Sequence, residues 1–207
     1  MAALDSLLPL CRRQAPGCPD FLLREALRHA AREFCRDSWF ARRTLELALE
    51  AGVSHYDLVP EDGAEEIIGA DAVEYRGQPL QPADPRLLPQ RPGRPSAFLW
   101  LPPATLELVP YPPEDADDLS EPAWVSVIVQ PAPEADSVGD DIVRQYDHAL
   151  ADGALARVCA LEGAAWSSPQ AAARHGLLFH AAKVNAKGRA LRAHLPRGLR
   201  VLPRRFA

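Results

Sequence analysis

Apolar residues recur every three or four positions in "CPDFLLREALRHAAREFCRDSW", where Phe21, Leu23, Leu27, Ala30, Ala31 and Phe34 share one face. That period predicts an amphipathic helix, with Asp20 as its N-cap, Pro19 outside it and an end near Asp37. Beyond it the period falls to two. Leu45, Leu47 and Leu49 alternate with Thr44, Glu46, Ala48 and Glu50, the pattern of a half-buried strand. Gly52 offers a turn, so "VSHYDLVP" reads as the return strand, closed by Pro60, and "ADAVEYRGQPL" as another strand turning at Arg76-Gly77. The proline-dense stretch from Gln78 to Pro103 reads as loop. "SAFLWLPPATLELVPYPP" divides into two short strands at Pro102-Pro103. "AWVSVIVQPAP" is the clearest strand, with Val125, Val127 and Val129 on one face and Trp124, Ser126 and Ile128 on the other.

Helical spacing then returns. Ile142, Tyr146, Ala149, Leu150, Leu155 and Val158 form one apolar stripe that contains Gly153. A glycine inside a helix costs about 1 kcal/mol relative to alanine, so its presence implies a close neighbour. A further helix starts at Ser168 as cap with Pro169 in the first helical position, and takes Ala172, Leu178, Phe179, Ala182 and Ala186 as its apolar face. The closing "PRGLRVLPRRFA" is marked by proline and reads as an extended arm. The fold class is α+β: a helical bundle of one N-terminal and two C-terminal helices (residues 1–40 and 137–188), an inserted, mainly antiparallel, proline-rich β unit (41–136), and a basic C-terminal arm (189–207).

Composition adds bounds. With 207 residues, 47% hydrophobic and 25% charged, the chain can bury a sizeable core. No apolar run approaches the roughly 18 residues that cross a membrane, and the basic residues near the start follow an apolar patch instead of preceding it, a poor signal peptide. An intracellular site of synthesis and no membrane partner are the expectations. Cys11, Cys18, Cys35 and Cys159 form no CxxC pair and have no zinc-spaced histidines, so reduced, mostly buried thiols are expected and no metal or cofactor.

Charge changes the picture more. Arg24, Arg28, Arg32 and Arg36 stand four apart on the first helix, where each like pair costs about 0.2 to 0.5 kcal/mol. Glu25 and Glu33 answer the row only in part, through spacings of three to Arg28 and Arg36, so the ladder calls for a further anionic partner or for solvent. The chain is also polarised: Lys183 to Arg205 holds eight basic residues and no acidic one, and Glu107 to Asp141 holds ten acidic residues and no Lys or Arg. The two segments either neutralise each other within a monomer or form opposed patches for different partners or head-to-tail copies.

Catalytic patterns are lacking. The sequence has no GxSxG, no phosphate loop, no GxGxxG, no HExxH and no calcium loop. Asp147 and His148 are adjacent on a helix and point in different directions, and His175 and His180 share a face poorly. No enzyme is expected, and a nucleic-acid-binding regulator using the ladder helix or the basic end is the alternative, weakened by the net charge of -5.

The phrases "ALRHAAREFCRDSW", "AGVSHYDLVP", "VEYRGQPLQP", "LELVPYPP", "VSVIVQPAP" and "DGALARVCAL…WSSPQAAARHGLLFHAA", in that order across residues 26 to 182, resemble the head-to-tail adaptor (connector, head-completion) proteins of tailed bacteriophages, especially short-tailed ones. The resemblance implies a structural virion protein that joins the portal after DNA packaging as a dodecameric ring, extends the DNA channel and carries the tail nozzle or tube. It implies portal contact through Arg189, Arg192, Arg197, Arg200, Arg204, Arg205 and Phe206, and a tail-facing acidic stretch around Asp115, Asp117 and Asp118. The ladder arginines would then face a neighbouring copy or the channel, the neighbour being favoured because unpaired arginines on a channel wall would grip passing DNA phosphates. Residues 81 to 95 fall mostly outside the matching phrases.

Overall fold

The three-to-four period of residues 21–34 closes into a helix in the computed structural model of the chain, which describes residues 1–84, 91–114, 119 and 121–193. The elements run in the order β1 (Ala2–Ala3), a 3-10 turn (Leu4–Leu7), α1 (Leu8–Gln14), α2 (Asp20–Ser38), β2 (Arg42–Leu47), β3 (His55–Asp57), β4 (Glu65–Tyr75), β5 (Gln78–Pro79) and β6 (Gln81–Pro82). They continue with β7 (Ala97–Leu101), β8 (Thr105–Val109), β9 (Ala123–Pro131), β10 (Ser137–Val138), α3 (Asp140–Val158) and α4 (Pro169–Ala193). The α+β class is as expected. The N-terminal turn and α1 were not legible as helix, yet they bury Leu4, Leu7, Leu8 and Cys11.

β9 lies at the centre of a sheet ordered β2-β9-β4-β5, and a second sheet is ordered β3-β8-β7-β6. The strand after Gly52 therefore does not return along β2: β2 pairs with β9 and β3 with β8, in different sheets. Leu45 and Tyr56 are both buried, so each strand satisfies its apolar side chain against a different neighbour. The expected turn at Arg76-Gly77 is present, with φ of 53° and 68°, the paired positive angles of a tight hairpin between β4 and β5. Pairing is antiparallel except between β6 and β7. Short strands β5 and β6 occupy part of the stretch expected to be loop, and β7 is the first of the two strands expected around Pro102-Pro103.

Ser168 caps α4 through its Oγ, 3.3 Å from the Ala171 amide, ahead of Pro169. α2 lacks the expected cap. Pro19 holds the cap position, and Asp20 sits inside the helix with its carboxylate 2.6 and 3.0 Å from the Arg12 guanidinium. α2, α3 and α4 pack on one another, and α2 also lies on β9. Phe34 carries the centre: its ring is 4.7 Å from that of Tyr146 and 6.4 Å from that of Phe179. Buried residues of helices and both sheets, from Leu23 and Phe34 through Val127 to Leu106, form one continuous core.

Two helical faces depart from expectation. Phe21 and Leu178, placed on apolar faces by spacing, are 64% and 51% exposed, and α4 instead buries His175, Phe179, Lys183, Ala186 and Ala190. Between α2 and β2, Trp39 adopts a left-handed conformation (φ 56°) with its amide 3.0 Å from the Cys35 carbonyl. The Phe40 amide donates to Ser38 Oγ at 3.2 Å, and the Ala41 carbonyl already accepts from Val129 at 3.0 Å.

Candidate interaction surfaces

The arginine ladder meets its counter-charges within the chain. Arg24 forms a two-pronged pair with Asp5, at 2.8 and 3.0 Å, which holds that carboxyl below its ordinary range. Arg28 binds Asp136, which follows β9. Arg32 reaches the Pro131 carbonyl at 2.6 Å and Glu66 of β4 at 3.0 Å, and Gln130 supports Glu66 at 2.9 Å. Arg36 turns to Asp37 at 3.3 Å. Neither sequence-proposed local pair forms. Glu33 turns away to Arg157 at 2.6 Å and to Lys183, and Glu25 has no ion-pair partner among the described residues.

Lys183 joins α4 to α2. Its ammonium contacts Glu33 and stands 2.7 Å from Asp37. Burial opposes its charge, but the hydrogen bonds to Asp37 and Glu33 prevail and raise its pKa. Burial likewise opposes the charge of Glu33 and Asp37, and the bonds to Lys183, with those from Arg157 and Arg36, prevail and lower theirs. The two lysines of α4 thus find partners on α2 and on the residue that ends it, Lys187 lying 4.3 Å over the Trp39 ring, and not in the acidic segment between Glu107 and Asp141.

The outward side of α4 is a surface that spacing alone did not single out. Leu177 is 72% exposed, Val184 57% and Leu191 45%, all opposite the buried line. No acidic residue occurs from Pro169 to Ala193. Arg189 and Arg192, expected in an extended arm, belong to the last turns of this helix. Arg189 lines a groove with Phe40, Arg42, Thr44, Ser126 and Gln145, where Arg42 donates to the Ala190 carbonyl at 3.2 Å. Arg197, Arg200, Arg204, Arg205 and Phe206 lie outside the described residues, as do Asp115, Asp117 and Asp118.

Several groups that could do chemistry are held by other parts of the fold. His175 is buried with Nδ1 2.7 Å from Asp152, a pair between α3 and α4 that the sequence did not suggest, and Nε2 faces the Arg174 guanidinium at 3.2 Å. Both ring nitrogens are occupied. Asp147 accepts from the His148 backbone amide at 2.7 Å, not from its ring. All four cysteines are free and buried, and burial pushes the Cys11 and Cys35 thiols up to about 12. Among the described residues no three His, Cys, Asp or Glu side chains come together as metal ligands, and no helix is long and apolar enough to cross a membrane.

The described residues form a mixed α+β body with a helix whose apolar residues face outward, and the sequence adds a basic C-terminal region. The chain matches the family model described as SU10 adaptor protein over residues 3–201 and belongs to that family of phage head-to-tail adaptors. No curated protein matches it.

Proposed function

We propose that this adaptor binds the portal as a dodecameric ring, extends the DNA channel and offers the platform on which the tail nozzle or tube assembles. The observation that carries the reading is α4, a 25-residue helix without an acidic residue, apolar on its outward side and continuous with the basic C-terminal segment. Such a helix is made to be covered by protein. Within the reading, residues 1–40 and 137–188 build the ring wall, 41–136 face the tail with Asp115, Asp117 and Asp118, and 189–207 reach the portal through Arg189, Arg192, Arg197, Arg200, Arg204, Arg205 and Phe206. Arg24, Arg28, Arg32 and Arg36 brace the face turned to the next copy. DNA passes the ring without sequence-specific binding, no catalysis or cofactor is involved, and assembly takes place in the host cytoplasm.

Mixing the full chain with isolated portal, or with tail-less heads, and following native mass and negative-stain averages tests this. A ring that forms on the portal is the expected result. Binding to duplex DNA while ignoring the portal would make the nucleic-acid-binding regulator the better account, and that binding would weaken steeply with salt.

A further inference from the structure

We infer that the outward row of α4 is covered, head to tail, by the α2 face of the adjacent copy; this rests on the ring reading above. Leu177, Ala181, Val184, Gly188 and Leu191 follow each other at spacings of four, three, four and three. They form a row about 21 Å long at about 1.5 Å per residue. The row lies opposite Phe179, Lys183, Ala186 and Ala190, which face the core. A helix apolar on two opposite sides is a buried helix, and among the described residues only one of those sides is covered. Cations flank the row, and Arg189 and Arg192 have no ion-pair partner among the described residues.

The complementary surface is on the same chain. Phe21 at the start of α2 and Leu161 just past α3 are 64% and 43% exposed. Two adjoining grooves, one with Phe21 and Glu134, the other with Leu22 and Leu161, share Glu25 and His29, so they are one continuous surface. Its arginines are already neutralised: Arg28 by Asp136, Arg32 by Glu66 and Arg157 by Glu33. Glu25 and Glu134 have no such partner among the described residues, which leaves the surface acidic around an apolar centre. It suits the cationic rim of the α4 row.

Because the two surfaces differ, their pairing is heterologous, so repetition continues past a dimer and closes into a ring when the portal sets the rotation between copies. One helix face about 21 Å long and about 10 Å wide offers far less than the roughly 800 Å² per partner of a stable complex. The contact therefore needs the portal to gather the copies.

The test uses the full chain carrying Phe21→Cys and Val184→Cys together, assembled on isolated portal and treated with a short bismaleimide; the native thiols are buried. A denaturing gel should show a ladder extending past dimers, and each single variant should show none. A ring that assembles without cross-linking overturns the inference and leaves the adaptor reading intact. Dimers from Val184→Cys alone also overturn it, since the row would then meet itself. Absence of any ring with the unmodified chain overturns both. Val184→Asp supplies a second readout: at an exposed position it should keep the monomer's melting temperature, while ring assembly requires about ten-fold more protein. Assembly at the unaltered concentration counts against the pairing.

Discussion

Gly153 shows how one position carries a packing decision. A Cβ there would stand 2.9 Å from the Ala30 methyl and from the Phe179 ring. Alanine would gain about 1 kcal/mol of helix propensity but would force α3 away from α2 and α4, a cost of about 1 to 3 kcal/mol. Gly153→Ala is expected to lower stability on balance, read as a fall in the urea midpoint with unchanged slope. The ladder arginines separate in the same way. Arg28 pairs with an exposed Asp136, so Arg28→Ala should cost less than about 1 kcal/mol. Arg32 is less exposed and also holds the Pro131 carbonyl, so Arg32→Ala should cost more, about 1 to 2 kcal/mol by the same denaturation. A spacing of four revealed that the ladder needed anions. It could not reveal which ones, because Asp5, Glu66 and Asp136 are brought to it from 19, 34 and 108 residues away.

Among the elements, the seam between α2 and α4 depends on pH through Lys183, Glu33 and Asp37. The two carboxyls have folded pKa values below their ordinary 4.5 and 3.8, so their contribution is present above those values and is lost as pH falls through the lowered ones. Lys183 is shifted the other way, so its contribution is present below 10.5 and lost as pH rises through its raised pKa. Melting temperature should decline from about pH 4.5 downward. Lys183→Met should lower stability by about 1 to 3 kcal/mol at neutral pH and flatten that acid limb. The helices were legible because their apolar spacing is long and regular, and local chemistry marks the start of α4 at Ser168-Pro169 and the β4–β5 turn at Arg76-Gly77. Sheet membership was not, since β2 and β3 look like a hairpin across Gly52 and only their partners β9 and β8 assign them to different sheets. Phe21 and Leu178 were misplaced for a related reason: spacing locates an apolar face without saying whether this chain covers it.

For the whole molecule, the first residues of the segment read as an extended arm are helical. Residues 189 to 193 continue α4, and Ala190 is only 5% exposed with its carbonyl bound by Arg42. Ending the chain after Ala193 should leave the melting temperature within about 1 °C of the full chain and abolish portal attachment; docking by the shortened chain would remove the arm from the portal contact. The junction from α2 to β2 has a mechanical side. Amide exchange at Trp39 should be as slow as within α2, since only three residues separate helix from strand and the Trp39 and Phe40 amides and the Ala41 carbonyl are all bonded. A joint with no slack is a lever: a turn of the helix end swings β2, the edge strand it leads into, and through the bond from Val129 to the Ala41 carbonyl it pulls on β9 as well.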